Sequence, residues 1–514
     1  MNLDDTSTQS TPQHNDINQL SHPYPKSSKV LDLPDELLLG IFEHVENFDF
    51  NAQVVQRHEP GMVDIQNVRL VCRRFCNVSS QLLVRSVRIG LDESSLVRLD
   101  EISRSRGIAK GVRAVRVVLD FYNPSFTNFD LFISNQADQL QRGVEWLSDE
   151  MEMGSIKGIS QQTASQMIDS RLAAKSTLRR LQVAPGDPDN SEYSVDDHLR
   201  RVHLEEIQKR YLLLLEKQTS LLNSGKFVNI VSSAIARMPC ARALEFSERN
   251  PDGKSEELMT PEGDVWEILF RFILQPMTSH DADIYDLELP NYQCIVDLLD
   301  ATRRAGTLLY TIGIKLWLLG SPGTLAPAPD RKQEFSSGMQ QLKDFKFSYG
   351  GTLRDRDVEG VSKFLSACLD TSSLQRLDLD ISGWVRRSAT IELGRVLGLR
   401  PRKQLTDISL FNTNIDLPML VRLFKQLPEK IRVLTLSEVR LFNGRWETLL
   451  DGFRKKRPDL VLIEDLEGAE CDNMSRRDYK RIFNIYSCEN NQAELYVSNM
   501  GPEEVNPFRT LGGD

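Results

Sequence analysis

Two histidines five residues apart, His198 and His203 in HLRRVH, and the acidic run HDADIYDLELP opening at His280 are the groupings whose residue types could hold a metal ion. Their spacing does not suit that task. Imidazoles at i and i+5 point to different sides of a helix, and Asp281, Asp283 and Asp286 miss both the 1, 3, 5 ligand spacing and the glycine of a calcium loop. Both strings read as solvated polar segments. Gly225-Lys226 lacks the upstream glycine and the following hydroxyl of a phosphate-cradling loop. Gly320-Ser321-Pro322-Gly323 has the wrong spacing for a nucleophile elbow, and its proline would distort the turn. Seven cysteines (Cys72, Cys76, Cys240, Cys294, Cys368, Cys471, Cys488) are odd in number and lack paired ligand spacing, which points to a reducing compartment, cytoplasmic or nuclear. The sequence offers no catalytic Ser, Cys or His, no metal site and no cofactor site. A net charge of -10 argues against nucleic acid as a partner. The basic cluster Arg454, Lys455, Lys456, Arg457 reads as the charged end of a solvated helix, with nuclear import as the sharper alternative.

With chemistry set aside, the informative patterns are those that would present side chains to another protein. Pro34 fits the first turn of a helix, where its missing N–H has no partner to lose, and Asp35 and Glu36 place negative charge near the positive end of the dipole. Leu37, Leu38, Ile41, Phe42 and Val45 then recur at three- and four-residue spacing as one apolar stripe, from which Leu39 falls away. A second helix is expected from Asp64, running through Ile65, Val68, Val71, Cys72 and Phe75. Two such helices make only a tiny core, so the module needs a neighbour or partner. At these residues the chain resembles an F-box protein of fungal type: LPDELLLGIF and VRLVCRRF look like the two halves of an F-box. Leu33, Pro34, Leu37, Ile41 and Val45 match the first signature and Leu70, Val71, Cys72 and Phe75 the second. The resemblance implies that these residues dock on a Skp-type adaptor, and through it on the cullin and RING subunits of a ubiquitin ligase. The connecting stretch ENFDFNAQVVQRHEPGMV is longer than the usual one, so an inserted loop is expected near 46–63.

In the C-terminal half a phrase apolar-x-x-apolar-x-apolar returns at Leu309/Ile312/Ile314, Leu342/Phe345/Phe347, Leu374/Leu377/Leu379, Leu405/Ile408/Leu410 and Ile431/Leu434/Leu436, with first residues 33, 32, 31 and 26 apart. Each period-two phrase predicts a short strand, and VEGVSKFLSACL, TIELGRVLGL, LPMLVRLFKQL and ETLLDGFRKKR predict helices between them. Further copies fall at Val84/Val87/Ile89, Val112/Val115/Val117 and Ala241/Leu244/Phe246, with a last strand near Leu460 to Ile463. This arrangement resembles degenerate leucine-rich repeats, in which parallel strands line a concave face. The family's Asn after the strand is missing: Gly350, Ser382, Thr413 and Val439 stand at its position. A plain α/β domain with right-handed crossovers is the alternative. On the repeat reading, the intervening strand positions face a partner: Asp344, Lys346 and Ser348; Arg376, Asp378 and Asp380; Asp407, Ser409 and Phe411; Val433, Thr435, Ser437 and Glu438. That surface leans acidic, so a protein target with a basic patch is expected.

The expected organisation is a disordered tail over 1–29, the F-box over 30–80, a repeat-like target-binding domain over 81–489 and a flexible tail over 490–514. Ser194 with Asp197 resembles a capping box, and Leu199, Val202, Ile207, Tyr211 and Leu214 predict one long amphipathic helical insertion near 194–223. The most apolar run, Thr307 to Gly320, is too short to span a bilayer and contains Lys315, so no membrane segment is expected. The fold class is mixed α and β: a small all-helical F-box followed by an irregular leucine-rich-repeat-like α/β solenoid with parallel strands. The expected function is the substrate-recognition subunit of an SCF-type (Skp-cullin-F-box) E3 ubiquitin ligase, non-catalytic itself. The alternative is a repeat-type interaction scaffold that carries an F-box-like hairpin without joining a ligase.

Overall fold

A proline that cannot donate opens the first helix. The Pro34 carbonyl accepts the N–H groups of Leu37 and Leu38, both at 3.1 Å, and α1 runs Asp35–Glu46 with both acids in its first turn. The computed structural model describes residues 29–46, 60–152, 160–182, 194–248, 266, 270, 273–318, 325–351, 355–381, 396–397, 402–483, 491–498 and 505–510. The expected N-terminal tail to 28, most of the F-box insertion and most of TIELGRVLGL lie outside the described residues. The chain divides into two units, residues 1–83 and 84–514.

In the first unit the expected second helix is two. α2 (Pro60–Val71) and α3 (Arg73–Ser79) are separated at Cys72, which is extended (φ -162°, ψ 166°) and whose thiol accepts the Phe75 N–H at 3.4 Å. The break re-aims the helical pattern. Phe75 and Val78 join Leu38, Phe42, Ile65 and Leu82, with the Phe42 and Phe75 rings edge-on at 5.1 Å. Leu39, which the periodicity sets apart, packs partly into this core. Arg74 ties α3 to the turn before α1: it donates to Asp35 Oδ1 at 2.9 Å, to the Leu33 carbonyl at 2.5 Å and to the Leu31 carbonyl.

The second unit is mixed α/β, built on one nine-stranded parallel sheet. Its strands are β1 (Ser86–Ile89), β2 (Ala114–Val118), β3 (Ala243–Ser247), β4 (Thr311–Leu316), β5 (Asp344–Tyr349), β6 (Arg376–Asp380), β7 (Asp407–Phe411), β9 (Val433–Ser437) and β11 (Leu460–Glu464). They lie side by side in the order they occur in the chain. A doubly wound sheet reverses its order at a switch point; this one does not. The central phrase residues Val115, Leu244, Ile312, Phe345, Leu377, Ile408 and Leu434 stand opposite one another in register. One device repeats at the start of the strands: the carbonyl of the residue before a strand accepts two N–H groups from the next. Arg85 accepts from Arg113 and Ala114 (2.7 and 3.1 Å), Arg113 from Arg242 and Ala243 (3.0 and 3.1 Å), and Arg242 from Tyr310 and Thr311 (2.8 and 3.1 Å). The same pair of bonds recurs at Tyr310, Lys343, Gln375 and Thr406.

Three shorter strands, which the sequence pattern does not announce, form a second parallel ladder: β8 (Asn414–Asp416), β10 (Arg440–Asn443) and β12 (Glu467–Gly468). Each follows a left-handed residue placed just after β7, β9 or β11, namely Asn412, Glu438 and Asp465, with φ of 50°, 52° and 47°. Where the repeat family would place an Asn, Gly350 instead admits a ring: a Cβ there would stand 2.6 Å from Trp317 Cε3.

Between β2 and β3 the chain makes a larger helical excursion than expected. α4 (Glu93–Arg104) precedes β2; after it come α5 (Phe129–Glu152), α6 (Gln161–Gln182), α7 (Val195–Asn223) and α8 (Lys226–Arg237). α5, α6 and α7 share a separate core that includes Phe132, Leu140, Leu178, Leu204, Ile207 and Tyr211. α7 opens on the expected capping box, with Asp197 N–H on Ser194 Oγ and Ser194 N–H on Asp197 Oδ2, both at 3.1 Å. Leu199 and Val202 are exposed, a correction to the expected apolar face. The tail is also corrected. A helix at Gln492–Ser498 buries Ala493, Tyr496 and Val497, and Phe508 is buried beyond it. Asn491 and Glu494 cap that helix reciprocally (2.8 and 3.0 Å) and also serve the edge strand: Ile463 N–H donates to Glu494 Oε1 at 2.9 Å, and Asn491 Nδ2 donates to the Ile463 carbonyl at 2.6 Å.

Candidate functional site

α1 sorts its apolar stripe into two faces. Leu38 and Phe42 turn inward and are buried, whereas Leu37 and Ile41 are 56% and 45% exposed. At the end of α2, Leu70 and Val71 are 84% and 65% exposed. Pro34 is exposed as well. Among the described residues this unit has five buried apolar residues in its core and leaves six large apolar side chains in water, these four together with Val30 and Leu31, where single exposed residues would need no comment. The other residues expected to meet an adaptor have internal work. Leu33 and Phe75 pack against the core, and Cys72 caps α3. The Val45 side chain lies outside what the structure describes.

On the sheet of the second unit, odd and even strand positions separate as the period of two requires, with phrase residues in the core and intervening ones on the other face. Much of the expected acidic lean is cancelled there by neighbours. Asp344 receives a two-pronged contact from Arg376 (2.6 and 2.9 Å) and the Thr311 hydroxyl at 3.1 Å. Asp407 is buried and paired with Arg432, and Thr435 is buried, so neither is the open contact the sequence suggests. Lys346 stands 4.0 Å from Asp378, and the Ser348 hydroxyl donates to Asp380 at 3.1 Å. Withdrawal from water lifts the Asp378 carboxyl above its ordinary value, opposed by Lys346 and aided by Asp380. Ser409, Phe411, Val433 and Ser437 are half-buried, and Glu438 is exposed on its left-handed turn.

The same face continues over β1 to β4 with Arg88, Arg116, Glu245 and Lys315, which the sequence reading passes over. The signal was present: they are the intervening positions of the earlier copies of the phrase.

The strings weighed for metals have other duties. The His203 ring meets Phe270 edge-on at 4.5 Å and the His280 ring meets Trp317 at 4.3 Å, while Asp281 forms a capping box with Thr278. Just past β3, the Glu248 carboxylate accepts the Ser279 N–H and O–H (2.9 and 2.6 Å), the Tyr292 O–H (2.8 Å) and the Trp317 N–H (3.3 Å). Desolvation raises its pKa against those four donors. Among the described residues no group of three or more His, Cys, Asp and Glu is placed to hold a metal ion, and no helix is long and apolar enough to cross a membrane. No protein-family model matches the chain, and no curated protein matches it significantly.

Proposed function

We propose that the chain is the substrate-recognition subunit of an SCF-type E3 ubiquitin ligase, acting in the cytoplasm or nucleus. Residues 30–80 form the F-box, which docks on a Skp-type adaptor and through it on cullin and RING subunits. The second unit is an irregular leucine-rich-repeat-like domain whose sheet face holds a target protein. The observation that carries this reading is the apolar surface of the first unit: Leu37, Ile41, Leu70 and Val71 stay in water beside a core that, among the described residues, holds five buried apolar side chains. Docking would remove that surface from water, at roughly 25 cal/mol for each Å² covered. Strand order that follows the chain, and the recurring left-handed turn before a short second strand, support the repeat assignment. The role is non-catalytic: holding a target near the conjugating enzyme raises its effective concentration there, and the chemistry belongs to other subunits.

The test is a pull-down of purified adaptor and cullin by the intact chain and by a Pro34→Ala/Leu37→Asp variant. Both positions are exposed, so the variant is expected to keep the circular dichroism spectrum of the intact chain, which is measured beside the pull-down. Capture by the intact chain and its loss in the variant is the expected result. No capture by the intact chain overturns the ligase role and leaves a repeat-type scaffold.

A further inference from the structure

Read across all nine strands, the open sheet face changes sign. Arg88, Arg116, Lys315 and Lys346 project from β1, β2, β4 and β5, and all four are exposed. Arg116 is joined to Glu245 at 2.7 Å and Lys346 lies 4.0 Å from Asp378. Among the described residues, Arg88 and Lys315 have no acidic partner. Arg88 and Arg116 stand directly opposite each other in register. Like charges so placed weaken a sheet, and of the two only Arg116 is offset, by Glu245 on the next strand. Between Arg116 and Lys346 the same row holds Glu245 and then Gly313, where the absence of a side chain leaves the face shallow. At the N-terminal rim of these strands Arg113 is exposed, and Arg242 and Lys343 lie over the Tyr310 ring at 5.7 and 4.8 Å. In a chain with a net charge of -10 this is a local reversal of field.

We propose that the β1–β5 part of the open face binds an acidic, extended segment of a protein, its Asp and Glu side chains meeting Arg88, Lys315 and Lys346. This rests on the receptor reading above and reverses the charge that the C-terminal strands alone suggest for the target. The four inter-strand steps cover about 19 Å, which suits a segment of roughly six extended residues. Nucleic acid is the less suitable occupant, because the rest of the chain repels phosphate and Glu245 lies within the patch.

The experiment measures binding of a fluorescent Glu-rich peptide to the full chain by anisotropy, beside a Lys-rich peptide and a labelled DNA duplex. The Glu-rich peptide binds and the Lys-rich peptide does not. An Arg88→Glu/Lys315→Glu/Lys346→Glu variant binds it about tenfold more weakly or worse, as does the intact chain on moving from about 50 to about 500 mM salt. Lys425→Glu, on the helical layer, leaves binding unchanged. Preference for the Lys-rich peptide, tighter binding of the duplex, or equal binding by the triple variant with an unaltered circular dichroism spectrum overturns the proposal. Adaptor capture by the same preparations separates the two readings: capture without peptide binding sinks this inference alone, and failed capture with peptide binding sinks the ligase role alone.

Discussion

At the scale of single residues, the strongest constraints sit on groups that no motif advertises. Arg402, 1% exposed, donates to the carbonyls of Leu369 and Thr371, just past the end of the 355–368 helix, and to that of Leu397, so one buried cation ties three backbone carbonyls together. Glu248 does the reverse, gathering four donors from three segments onto one carboxylate. Because desolvation raises the Glu248 pKa in the folded state, that state holds a proton the unfolded chain has released, in the window between the ordinary glutamate value and the raised one. The associated stability is fully present below the ordinary value and is lost as pH rises through the folded value. Comparing melting temperatures of the intact chain and Glu248→Gln across this range should show the intact chain gaining on the variant as pH falls. A gain in the opposite direction would refute the assignment.

At the scale of elements, the last strand shows how an exposed edge is made safe. Asn491 and Glu494 use one pair of side chains both to cap a helix and to satisfy the N–H and C=O of Ile463. An Asn491→Ala/Glu494→Ala chain loses the cap and strands those two groups, a cost of about 2 kcal/mol or more. A lower denaturant midpoint with concentration-dependent self-association on a sizing column is expected; an unchanged midpoint would mean the edge needs no cover. Sequence legibility follows the same physics. Eight of the nine long strands are visible because each carries apolar residues at a period of two with another apolar residue three places ahead; the last, near Leu460 to Ile463, shows only the period of two. The capping box of α7 was visible because Ser194 and Asp197 declare it locally. The α5 and α6 helices were not, since buried Asn135, Gln136 and Arg171 interrupt the apolar stripe that would reveal them. Asn491 and Glu494 look like tail residues until the strand they serve is known. Charge pairing was invisible for a similar reason: Asp407 looks like surface until Arg432 is set beside it.

At the scale of the molecule, the two units differ in how much they can hold together unaided. The first unit rests on Leu38, Phe42, Ile65, Val78 and Leu82, whereas the second runs a continuous core beneath all nine strands. A fragment of about 55 residues with so small a core stands at the margin of independent stability. A peptide covering 29–83 should show a weak helical circular dichroism signal alone and a stronger one on adding the adaptor. A fully helical spectrum from the isolated peptide would contradict this, and would remove the instability from the case for a docking partner.

The paired bonds at the starts of β2 to β7 and of β9 fix the register without regard to what the chain does between strands. β2 and β3 meet in the same alignment as β7 and β9, although residues 119–242 separate the first pair and only 412–432 the second. Closing the longer loop carries an extra entropic cost of about 1.5 kcal/mol, because that cost grows only with the logarithm of length. The sheet is therefore a frame open to insertion: a crossover can gain a whole helical body with its own core, and the strands on either side keep their places.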